Sequence, residues 1–114
     1  MNVVLDFDGV INSYTSGWKG CDVISDPPVD GIKEAIDEIR GAGYEVHVIS
    51  TRCSTTEGMD AVQRYLKEND IHVDSIGCAK PPAVVYVDDR ALCFDGHPET
   101  LLSKIKGFKP WNKK

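Results

Sequence analysis

The chain of 114 residues has no Cys-x-x-Cys pair, no apolar run near the roughly 18 residues that cross a bilayer, and no basic stretch leading into a long apolar segment at its start. These absences argue against a zinc site and a membrane span, and predict no secretory leader. Four widely spaced cysteines, Cys21, Cys53, Cys78 and Cys93, predict buried, reduced thiols and a cytoplasmic location.

Basic charge is scarce over most of the chain. The formal charge is −5, yet residues 104 to 114 hold five lysines and no acid, leaving eight basic against 18 acidic side chains elsewhere. A body this acidic argues against broad nucleic-acid binding. The basic tail, 107–114, reads as a solvated terminus that is also able to touch a phosphate backbone.

Hydrophobic residues make up 41% and charged residues 27%, and the length suits a single domain, 1–114, with one core. Val3, Val4 and Leu5 form a short apolar run that stops at Asp6-Phe7-Asp8-Gly9, the pattern of a buried parallel strand opening into a loop. Residues 11–29 are rich in Gly, Ser, Asp and Pro and predict an irregular flap carrying Tyr14 and Trp18. Those two aromatics are able either to stack on a base or sugar ring or to plug the small core under the flap.

Asp30 is expected to cap a helix with Ile32, Ala35, Ile36 and Ile39 on one face, ended by Gly41 or Gly43. A second strand follows at 44–49, ending at Ser50-Thr51-Arg52. After Ser54-Thr55-Thr56, the residues Met59, Val62, Tyr65 and Leu66 predict another amphipathic helix, stopped by Asn69-Asp70. Further strands are expected at 75–77, 84–87 and 91–94, and a last helix at 98–106. Strands alternating with helices imply βαβ units and a mostly parallel sheet, with the site beyond the carboxyl ends of the strands.

The residues expected at those ends are Asp6, Asp8, Ser50, Lys80, Asp88 and Asp89. Four converging carboxylates need a cation, and all-oxygen ligation suits Mg²⁺ shared with a substrate phosphate. Phosphate-ester hydrolysis needs a nucleophile, charge neutralisation and a proton donor. Asp6 or Asp8 can attack, Mg²⁺ and Lys80 can balance charge, and Ser50 or Thr51 can hydrogen-bond a phosphoryl oxygen. Gly9 allows a sharp turn past the carboxylates, Arg52 is positioned in sequence to meet a further anionic group, and Gly9, Thr51 and Arg52 are the residues expected to bind substrate. Each residue alone has a plainer reading: Asp-Gly is a common turn, Ser50 ends a strand, Lys80 is solvated, and Arg52 makes a surface pair. Their joint order favours chemistry.

These segments resemble the motifs of the haloacid dehalogenase superfamily: Asp6-Phe7-Asp8-Gly9-Val10, then Val46-His47-Val48-Ile49-Ser50, Lys80-Pro81-Pro82, and Val84-Val85-Tyr86-Val87-Asp88-Asp89. The resemblance implies a three-layer Rossmann-like α/β domain, with a mostly parallel five-stranded sheet, helices on both faces and no separate cap domain. It implies that Asp6 forms an aspartyl-phosphate, that Asp8 handles the proton, and that Ser50 and Lys80 hold the phosphoryl group. Mg²⁺ would be held by Asp6, Asp8 through its backbone carbonyl, Asp88 and Asp89. The expected activity is phosphomonoester hydrolysis at an open site, on a phosphorylated substrate as large as a nucleic-acid end, a phosphoprotein or a phosphosugar polymer. The alternative is a receiver-like phospho-aspartate switch without turnover. Receivers, however, place the adjacent acidic pair first, whereas here the spaced Asp-x-Asp comes first.

Overall fold

In a computed structural model, the structure describes residues 1–79 and 90–111. The expected strand at 84–87, with Lys80, Asp88 and Asp89, lies outside the described residues.

Three parallel strands, β1 (Asn2–Asp6), β2 (Glu45–Ile49) and β3 (Ser75–Gly77), lie side by side in chain order. Val3 is paired with Val46 and Leu5 with Val48, while Val48 is paired with Ile76, so these five side chains share one face of the sheet. That face packs into a single core with Ile32, Ala35, Ile36 and Ile39 of α1 (Ile32–Gly41) and Val62, Tyr65 and Leu66 of α2 (Thr56–Glu68). Two successive crossovers moving in the same direction along a sheet put their helices on the same side. The expectation of helices on both faces is therefore not met among the described residues, and Val4, on the opposite face, is 55% exposed.

The helices follow from their apolar spacing, but their ends differ from expectation. Asp30 does not cap α1: the N-cap is Gly31, without a side-chain cap. Thr55 caps α2 by accepting from the Gly58 amide at 3.0 Å. Gly58 has a separate reason for lacking a side chain, because a Cβ there would lie 1.8 Å from the Arg52 carbonyl oxygen. The first turn of α2 thereby seats directly on the backbone of a 3₁₀ turn at Thr51–Ser54.

Ala91, Leu92 and Cys93 are exposed, and the segment 91–94 is irregular rather than a strand; only Phe94 of this segment packs against the core. A strand buried on neither face has little to hold it. The chain then makes a 3₁₀ turn at Pro98–Thr100 and α3 (Leu101–Gly107), which packs beside α1. Of the four free cysteines, Cys53 is buried whereas Cys78 and Cys93 are exposed, correcting the expectation of buried thiols. Among the described residues, no helix is long and apolar enough to cross a membrane.

Candidate active site

The parallel pairing of Asp6 with Ile49 aligns the ends of β1 and β2, so that Asp6 and the following Ser50 leave neighbouring strands at one edge of the sheet. Phe7, between the two aspartates, is fully buried and meets Tyr65 edge-to-face at 5.3 Å, which fixes the strand end on α2. Such a ring pair adds about 0.5–1.5 kcal/mol beyond its buried area. Burial pushes the Tyr65 phenol up, and its hydroxyl donates to the Asp26 carbonyl at 3.0 Å.

Past Phe7 the chain folds back on itself. The Phe7 carbonyl accepts from the amides of Ile11 and Asn12 at 2.9 and 3.0 Å, and the Gly9 amide donates to the Asn12 carbonyl at 2.8 Å. Gly9 has φ +83°, a conformation open to glycine at little cost. Its expected role in the turn is thus met. Among the described residues, nothing donates to the Asp8 carbonyl.

The Asp8 carboxylate is held from two sides. Its Oδ1 accepts from Asn12 Nδ2 at 2.9 Å, and Arg52 Nε reaches Oδ2 at 2.9 Å and Oδ1 at 3.1 Å. Arg52 is 1% exposed. Its Nη1 donates to the carbonyls of Gly20, Cys21 and Val23 at 2.9, 3.1 and 3.2 Å, and its guanidinium lies 4.5 Å from the ring centre of Trp18. The sequence pattern sets Arg52 against substrate; the structure turns it inward, where it binds the flap and Asp8 together. A fixed planar fork of donors suits that task better than a lysine.

Ser50 is buried, and its hydroxyl oxygen caps the 3₁₀ turn by accepting from the Arg52 amide at 3.2 Å. Accepting leaves the hydroxyl chemically able to donate elsewhere. Thr51 begins the turn, and its carbonyl accepts from Ser54 Oγ at 2.8 Å. Asp6, Asp8, Gly9, Ser50 and Thr51 therefore gather at the same end of the sheet. Among the described residues, no three His, Cys, Asp or Glu side chains form a metal-sized cluster. The Mg²⁺ expectation thus rests here on Asp6 and Asp8.

Two members of the site escape the sequence pattern. Asn12 is buried, and it both orients Asp8 and accepts from the Tyr14 amide at 3.2 Å. Asp26 accepts from the Ser16 hydroxyl and from the Ser16 amide, the latter at 2.9 Å, and these bonds hold its carboxyl below the usual 3.8. The only advance signal is a flap dense in Asn, Ser and Asp, residues that hydrogen-bond local backbone.

The Asp26 brace has a pH signature. A carboxyl depressed by folding stabilises the fold above its unfolded value, near 3.8, and loses that contribution as pH falls through the lower folded value. Flap order, followed by Trp18 emission in a Trp111→Phe protein, is expected to hold steady down to about pH 4 and to loosen below it. An Asp26→Asn variant with the same acid transition would remove Asp26 as its source.

No family model and no curated protein matches the sequence. The crystal structure of a structural-genomics target from Vibrio cholerae matches the fold with a TM-score of 0.67 at 17% identity, over 91% of this chain and 98% of that one. The protein is an α/β domain built on a small parallel sheet. At that identity the likeness speaks for architecture alone.

Proposed function

We propose that the protein is a Mg²⁺-dependent phosphomonoester hydrolase of haloacid dehalogenase type, acting through a phosphorylated Asp6. The observation that carries this reading is the alignment of Asp6 and Ser50 at adjoining strand ends, with Asp8 held beside them by Arg52 and Asn12.

The division of labour between the aspartates is the one the family resemblance implies, and the contacts of Asp8 support it. Both oxygens of Asp8 already accept hydrogen bonds, which disfavours it as the nucleophile. Among the described residues Oδ2 accepts from Arg52 Nε alone, so its second lone pair is available for a proton. An Asp6 oxygen attacks phosphorus as the bond to the leaving alcohol breaks, and the departing oxygen takes a proton from Asp8. Water then attacks the aspartyl-phosphate and gives a proton back to Asp8, releasing inorganic phosphate and restoring Asp6. Ser50 holds a phosphoryl oxygen, with Lys80 contributing charge from outside the described residues.

Asp6 carboxylate oxygens and the Asp8 carbonyl are hard donors at one strand end and fit Mg²⁺, which would neutralise the phosphoryl oxygens when bound. The resemblance implies the Asp8 backbone carbonyl as the donor, which leaves the carboxylate to Arg52, Asn12 and the proton. The sequence pattern of 84–87 predicts a fourth strand bringing Asp88 and Asp89 to the same edge.

The test is phosphate release from a panel of phosphomonoesters, with Mg²⁺ or with excess chelator. Release that needs Mg²⁺ is the expected result. Turnover unchanged by chelator would overturn the metal-assisted mechanism, and persistent labelling by acetyl phosphate without turnover would turn the reading to a switch.

A further inference from the structure

Trp18 is 54% exposed, an unusual setting for the largest side chain of the flap. Its position is nevertheless well determined. One ring face lies on the guanidinium of Arg52, 4.5 Å from its carbon, and Arg52 is itself buried and bound to Asp8. The flap is braced on both sides of the ring. Upstream, the Tyr14 and Ser16 amides donate to Asn12 and Asp26; downstream, the carbonyls of residues 20, 21 and 23 accept from Arg52. Tyr14 has φ +60°, a conformation seldom adopted by a bulky side chain, and the Gly17 amide closes the turn onto its carbonyl at 3.1 Å.

The flap thus spends hydrogen bonds and backbone strain to hold an indole in the open. Core packing does not account for it, since Trp18 belongs neither to the hydrophobic core nor to the residues packed against it. One guanidinium contacts both the Trp18 ring and the Asp8 carboxylate, so a single side chain separates the ring from the group to which the proposed mechanism assigns protonation of the departing alcohol.

We propose that the outer face of Trp18 is a stacking subsite for a planar ring carried by the leaving group of a phosphomonoester. The substrate class is accordingly aromatic or heteroaromatic phosphomonoesters, nucleoside monophosphates among them, in preference to phosphates of aliphatic alcohols. This rests on the phosphatase reading of the same site. Stacking on an aromatic side chain is tolerant of base identity, so the preference is for a ring rather than for one base.

Two measurements separate the subsite from the chemistry. In the first, kcat/KM is compared for adenosine 5′-monophosphate and glycerol 2-phosphate. Trp18→Ala is expected to lower the ratio of the two about tenfold, and Trp18→Phe to keep most of it. A merely structural role would lower both substrates together and leave the ratio unchanged, which would overturn the proposal. In the second, Trp111→Phe leaves Trp18 as the single indole, and Asp6→Asn is added to prevent turnover. Adenosine 5′-monophosphate is then expected to quench emission saturably, while glycerol 2-phosphate does not. Quenching without turnover in the protein that keeps Asp6 would retain the subsite and overturn the phosphatase reading. Turnover without quenching or ratio change would do the reverse, and neither result would overturn both.

Discussion

Replacing Asp6 by Asn is expected to lower phosphate release by about four orders of magnitude or more, the scale on which enzymes lose activity when a nucleophile that acts as part of a unit is removed. The substitution keeps the shape of the side chain and removes its capacity to form an acyl phosphate. Asp8 is not a ready substitute. Its oxygens accept from Asn12 and from a buried guanidinium, and turning one of them towards phosphorus means breaking that pair. The measurement is single-turnover phosphate release by wild type and Asp6→Asn side by side, with denaturing gels of wild type for a trapped phosphoryl-enzyme. An Asp6→Asn variant retaining more than about a tenth of the activity would move the nucleophile away from Asp6.

The second large effect is on stability. Arg52→Met keeps an unbranched apolar stem reaching about as far as Nε but strips Asp8, three flap carbonyls and the Trp18 ring of one common partner. Removing one member of a buried pair typically costs about 3–5 kcal/mol, and the lower end applies here because Asp8 keeps 19% of its side-chain exposure. For a domain of this size about 3 kcal/mol corresponds to a fall in Tm of more than roughly 10 °C. Arg52→Lys restores charge without the planar fork and is expected to recover only part of the loss. Thermal unfolding followed by circular dichroism checks both variants. A Tm unchanged in Arg52→Met would mean that the flap holds without its clamp.

What is legible in the sequence tracks what is local. The spacing of Ile32, Ala35, Ile36 and Ile39, and of Met59, Val62, Tyr65 and Leu66, marks two helix faces, and the runs ending at Asp6 and Ser50 mark two strand ends. These signals repeat within a few residues, so the sequence carries them directly. The α1 cap is misleading in sequence because Asp30 has suitable chemistry, yet Gly31 takes the left-handed turn into the helix at φ +87°. The 91–94 segment has strand-like composition, but burial decides strands, and its first three residues face solvent.

Arg52 is the least legible. Its partners lie 44 positions away at Asp8 and about 30 away in the flap, and no local pattern distinguishes a buried arginine from a solvated one. Gly58 belongs to the same lesson. It reads as a weak helix residue until the Arg52 carbonyl is found where its side chain would be.

The clamp grips the flap by its carbonyl oxygens at positions 20, 21 and 23. Every amino acid supplies that group, so the side chains at these three positions are not what is being recognised. The loop's identity is thereby uncoupled from its anchorage. A different flap of similar trace could be exchanged into this frame and still be secured by the same arginine.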